Sequence, residues 1–71
     1  MNEFTITTDY INLLQLLKAI NIAFSGGEAK EMIDDKEVKI NDEIENRYRR
    51  KLYDGDIVKV LGNEIIIKKE K

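Results

Sequence analysis

The sequence predicts an α+β domain in which two helices pack against a small curled β-sheet, in the order β-α-α-β-β-β-β. Three observations predict it. Apolar residues recur at helical spacing between Leu13 and Ile33, then switch to period two from Val38 onward. Glycine, asparagine and aspartate supply the turn signals, and proline is absent. With 71 residues, the chain is expected to form one domain spanning 1–71. A domain of this size buries only about 60% of its unfolded surface, so the core is thin.

The elements follow in order. Phe4-Thr5-Ile6-Thr7 alternates apolar and polar residues and reads as a short strand. Thr8 or Asp9 is expected to cap a helix starting near Tyr10. Within it Leu13, Leu16, Leu17 and Ile20 fall at i, i+3, i+4 and i+7 and make one apolar face, and Asn21 marks its end. Ser25 followed by Glu28 fits the capping box of a second helix, in which Ala29, Met32 and Ile33 form the apolar stripe. Asp34-Asp35 opposes the helix dipole and stops it. Val38 and Ile40 then alternate with polar neighbours, and Asn41-Asp42 makes a tight turn towards Ile44. Asn46 to Lys51 reads as an exposed loop. Asp54-Gly55-Asp56 leads into the strand Ile57-Val58-Lys59-Val60, and Gly62-Asn63 closes a hairpin with Glu64 to Lys68. The last strand, Glu64 to Lys69, is read as an exposed edge whose lysines discourage pairing, so a monomer is expected.

Composition argues against catalysis. There is no cysteine to act as nucleophile or soft ligand, and no histidine to shuttle protons near neutral pH or bind metal. Asp34, Asp35, Asp42, Glu43 and Glu45 follow no calcium-loop spacing and read as a solvated face. No enzyme activity, cofactor or metal is expected. Met1-Asn2-Glu3-Phe4 lacks the features of a signal peptide, and Ile65-Ile66-Ile67 is too short to cross a bilayer, so a cytoplasmic location is expected. Twelve Lys and Arg against fourteen Asp and Glu give a net charge of −2, so any polyanion must be held by a local patch.

One such patch is evident. Arg47, Arg49, Arg50 and Lys51 fall within five consecutive positions with no acid among them. Arginine's planar fork suits phosphate, and Tyr48 offers a stacking surface. Composition alone leaves open a solvated loop that offsets Glu43 and Glu45. A second signal lies at the second helix start. Ser25-Gly26-Gly27 puts two residues without side chains where free N–H groups favour a phosphate, and Lys30 stands one turn on. The alternative is a glycine-shaped turn with Ser25 as a plain cap. The spacing is not that of a nucleotide-binding P-loop.

In order and spacing these residues resemble the RNA-binding domain named after the fourth protein of the small ribosomal subunit, whose fold is the alpha-L motif. The resemblance rests on Ser25, Ala29-Lys30, Ile33, Val38-Lys39-Ile40-Asn41 and Gly55-Asp56, and covers about residues 10–60. Departures are Asn12-Leu13-Leu14 in place of Arg-Leu-Asp, Gly26 in place of an arginine, and Lys36 and Asp42 in place of glycines. Ser25-Gly26-Gly27 with the run from Asn46 to Lys51 is similar to a subgroup of very small, free-standing bacterial members.

The resemblance implies structured RNA as partner, ribosomal RNA or tRNA and the ribosome itself, recognised by backbone shape. The implied surface combines Ser25, Gly26, Gly27 and Lys30 with the hairpin at Lys39 and Asn41 and the loop Arg47, Tyr48, Arg49, Arg50 and Lys51. Lys18 and Lys39 are candidate rim contacts. DNA is left open, because phosphate contacts carry little sequence information. A protein adaptor is the competing reading, although the chain ends in Lys68-Lys69-Glu70-Lys71 and not in the Gly-Gly of conjugated ubiquitin-like modules.

Overall fold

The computed structural model describes residues 2–70, so Met1 of the N-terminal segment and Lys71 of the C-terminal run lie outside the described residues. The elements are β1 (Asn2–Ile6), β2 (Ile11–Asn12), α1 (Leu13–Ala19), α2 (Gly26–Asp34), β3 (Val38–Ile40), β4 (Glu43–Ile44), β5 (Lys51–Leu52), β6 (Ile57–Val60) and β7 (Asn63–Lys69). Five strands form one sheet in the order β1-β7-β6-β3-β4, while β2 and β5 form a separate two-stranded ladder. The β-α-α-β-β-β-β order expected from the sequence is that of the five-stranded sheet with its two helices. The small ladder is an addition to it.

Alternation puts the core on one face of the sheet. Val38, Ile40, Val58, Val60, Ile65 and Ile67 are buried, while Lys39 between the first two is exposed. Against that face pack Leu13, Leu16 and Leu17 of α1 with Ala29, Met32 and Ile33 of α2, the stripes expected from the helical spacing. Each of the larger side chains among them, the leucines, isoleucines, valines and Met32, contributes roughly 1.5–3 kcal/mol on leaving water.

The first helix starts later than the sequence suggested. Ile11-Asn12 is extended and pairs with Leu52 and Lys51, and the Leu13 N–H donates to the Arg50 carbonyl at 2.9 Å. Asn12 is the cap. Its Oδ1 accepts from the Gln15 N–H at 2.9 Å, and Gln15 Oε1 accepts from the Asn12 N–H at 3.1 Å. Neither expected cap serves: Thr8 Oγ1 donates to the Tyr10 carbonyl at 2.8 Å, and Asp9 pairs with Lys69 at 2.6 Å. Asn21 ends the helix in the left-handed region, with φ 62°.

Two further expectations are corrected. Glu64 to Lys69 is no edge, since β7 lies between β1 and β6 and pairs in parallel with β1. That pairing joins the two ends of the chain, which local pattern does not register. The β6–β7 turn sits at Leu61-Gly62, both at positive φ (48° and 79°), because Asn63 already pairs with Val60. The β3–β4 turn is at Asn41-Asp42 as expected, with φ 51° and 70°.

Candidate nucleic-acid interface

The basic run is built around a buried carboxylate. Glu45 is 5% exposed, and its N–H donates to the Val38 carbonyl at 3.0 Å, fixing it beside the sheet. Its Oε2 accepts from the N–H groups of Asn46 (3.1 Å) and Arg47 (2.9 Å) and from Arg47 Nε (3.0 Å). Its Oε1 accepts from Arg47 Nη2 (3.2 Å) and Arg50 Nη1 (2.6 Å). Burial works against the charge, but the hydrogen bonds from Arg47 and Arg50 outweigh it and hold the carboxyl at about 2. The loop offsetting Glu45 therefore describes two of its cations. It is stitched down and only partly exposed: Arg50 is intermediate, and Lys51 belongs to β5.

The remaining cations face outward. Arg49 is exposed and makes no hydrogen bond or ion pair among the described residues. Lys51 Nζ stands 4.9 Å above the centroid of the Tyr10 ring. Arg47, Arg49, Arg50 and Lys51 line an open hollow of about 450 Å³ whose fifth wall is Tyr53. Four cations against one buried carboxylate leave it strongly positive on a protein of net charge −2.

Tyr48 is turned towards the helices. Its hydroxyl donates to Asp34 Oδ1 at 2.6 Å, which pushes its pKa up, and Lys30 Nζ lies 5.6 Å from its ring. The tyrosine thus ties the basic loop to the end of α2 and brings Lys30 towards it. At the other end of α2, Ser25 Oγ accepts from the Glu28 N–H at 3.1 Å. Gly26 and Gly27 have no positive φ, and a Cβ on either would meet nothing closer than Ser25 Oγ at 3.9 Å. Local backbone geometry does not require either glycine.

The hairpin residues lie elsewhere. Lys39 is on the outer face of the sheet, in register with Lys59, and lines a separate hollow of about 350 Å³. Asn41 is occupied as a latch: its Nδ2 donates to Asp56 Oδ1 at 3.1 Å, and its Oδ1 accepts from the Ile57 N–H at 3.0 Å. Neither lines the arginine hollow.

Sequence reasoning missed Tyr10 and Tyr53. They are 41% and 49% exposed, with ring centroids 5.9 Å apart and planes inclined at 51°. The β2–β5 ladder brings them together, and no local pattern announces it. Among the described residues no group of three or more His, Cys, Asp or Glu is arranged to hold a metal, and no helix is long and apolar enough to cross a membrane.

Two helices on one face of a small mixed sheet, with a stitched basic loop beside them, define a small α+β domain that carries a local basic patch. The chain belongs to the S4 domain family, whose family model matches residues 4–68. It is similar to the probable ribosome maturation protein RlbA of Bacillus subtilis (strain 168), with 46% identity over 61 residues, 86% of each chain.

Proposed function

We propose that this protein binds structured RNA without catalysis, with ribosomal RNA as the first target to consider and tRNA as the next, in the course of ribosome maturation. The observation that carries the reading is the open hollow of Arg47, Arg49, Arg50 and Lys51, in which Arg49 has no acceptor among the described residues. The S4 domain match and the name of the B. subtilis relative support it. In this reading the α2 N-terminus (Ser25, Gly26, Gly27) and Lys30, held near Tyr48, take one stretch of phosphates. The arginine hollow takes another. Lys39 and Asn41 belong to the periphery, Asn41 by holding the hairpin in place. One cytoplasmic monomer suffices for this surface.

The test is an NMR titration of labelled protein with a ribosomal RNA hairpin and with tRNA, repeated at high salt and with duplex DNA. Shifts at Ser25 to Lys30 and Arg47 to Lys51 that weaken with salt and are smaller with DNA are expected, since counterion release drives phosphate binding. Equal shifts with DNA would reduce the reading to a general nucleic-acid binder. No shift with ribosomal RNA or tRNA would overturn it in favour of a protein adaptor.

A further inference from the structure

The arginine hollow is bordered by aromatic surface that a purely phosphate-binding site does not need. Tyr53 forms its fifth wall, and Tyr10 stands beside Tyr53. Both rings are about half exposed, and neither hydroxyl has a hydrogen-bond partner among the described residues. Only their backbones are tied down: the Tyr53 N–H donates to Asp56 Oδ2 at 2.8 Å, and the Tyr10 carbonyl accepts from Thr8. Tyr48, the other tyrosine of this region, is turned inward to Asp34 and is not a wall of the hollow.

We propose that this hollow receives a single unpaired nucleotide of the RNA, its base stacked on the Tyr53 ring and its phosphate held by Arg49 and Lys51. The inference rests on the RNA-binding reading and sharpens it. Bases inside an A-form duplex stack on one another and offer no face to a side chain, whereas a bulged or looped base does. An exposed aromatic ring set among cations is the combination that single-stranded segments use, the ring for the base and the cations for the backbone. Lys51 above Tyr10 places one such cation beside the aromatic pair. The two tyrosine rings are inclined at 51°, so they do not present one continuous flat surface. The RNA class is thus a helix interrupted by an extruded nucleotide.

The experiment compares two synthetic RNA hairpins that differ only by one bulged adenosine, replaced in a parallel sample by a fluorescent adenine analogue. Wild type is expected to bind the bulged hairpin about tenfold more tightly than the paired one, and to quench the analogue on binding. Tyr53→Ala is expected to abolish the difference and the quenching while keeping its affinity for the paired hairpin. Tyr53→Phe keeps both effects, because stacking needs the ring and not the hydroxyl. Equal binding of both hairpins by wild type, or a Tyr53→Ala protein that still prefers the bulge, overturns the nucleotide site and leaves RNA binding standing. Failure to bind either hairpin overturns the RNA-binding reading, and this inference with it.

Discussion

Arg50 reaches Glu45 Oε1 at 2.6 Å while its own carbonyl accepts the first N–H of α1, from Leu13, at 2.9 Å. One residue of the basic run thus closes a buried ion pair and anchors the start of the first helix. A cluster of like charges is costly in a free loop, and here the cost is offset by a carboxylate placed under it. In the proposed reading the residues that would hold an anion are the same ones that fix the loop's shape.

Replacing Glu45 by Gln tests that arrangement. Removing one partner of a buried pair leaves arginines without their counter-charge, at a cost of several kcal/mol when all groups are buried. Arg47 is 67% exposed and can resolvate, so the expected loss is smaller, about 2 kcal/mol, read by urea unfolding. The pH dependence has a definite sign. The Glu45 carboxyl is lowered from 4.5 to about 2, so its stabilisation is present above pH 4.5 and disappears as pH falls towards 2. A shift of this size corresponds to about 3 kcal/mol. The wild-type and Glu45→Gln stabilities should converge across that window, and parallel curves would count against the ion pair.

Arg49 and Arg47 separate binding from folding. Arg49 has no protein partner among the described residues, so Arg49→Ala should change stability by less than about 0.5 kcal/mol. It should weaken RNA binding and flatten the logarithmic salt dependence by about one unit. Arg47→Ala should lower both affinity and stability, because it also strips Glu45 of the two hydrogen bonds donated by Arg47 Nε and Nη2. Affinity measured at several salt concentrations, beside thermal unfolding, distinguishes the two.

Leu61 occupies the first position of the β6–β7 turn at φ 48° and is 58% exposed. A left-handed conformation costs a branched side chain about 1–2 kcal/mol, and asparagine tolerates it far better. Leu61→Asn should therefore stabilise the domain by about 1 kcal/mol, raising Tm by roughly 4–8 °C for a chain of this size. An unchanged or lower Tm would mean that Leu61 makes contacts its exposure conceals.

Much of this fold was legible locally. Leu13, Leu16 and Leu17, then Ala29, Met32 and Ile33, announce buried stripes by spacing, and Val38 and Ile40 announce a one-sided strand. Asn41-Asp42 names its own turn, since short polar residues accept positive φ. What stayed hidden depends on contacts between distant segments. The β2–β5 ladder holds Ile11-Asn12 extended and delays α1 to Leu13, and β1 covers β7 from the far end of the chain. The site divides the same way. The basic run was visible as composition, but which of its arginines serve Glu45, and that Tyr10 meets Tyr53, are facts of packing.

The glycines at the start of α2 decide between shape and function. Gly26 and Gly27 sit in helical backbone with room for a methyl group on each. Alanine at such a position restricts the unfolded chain without straining the folded one, and stabilises by about 0.4–1 kcal/mol. Gly26→Ala and Gly27→Ala should therefore each raise Tm, with the Ser25 cap retained. If the glycines keep the helix start bare so that a phosphate can reach its N–H groups, the same two variants should bind RNA more weakly although they are more stable. Loss of affinity in a stabilised protein cannot come from misfolding, which makes this pair a cleaner probe of the α2 surface than removal of Ser25, whose cap is itself worth about 1 kcal/mol. Stabilised variants that bind RNA as well as wild type would confine the phosphate contacts to the arginine hollow.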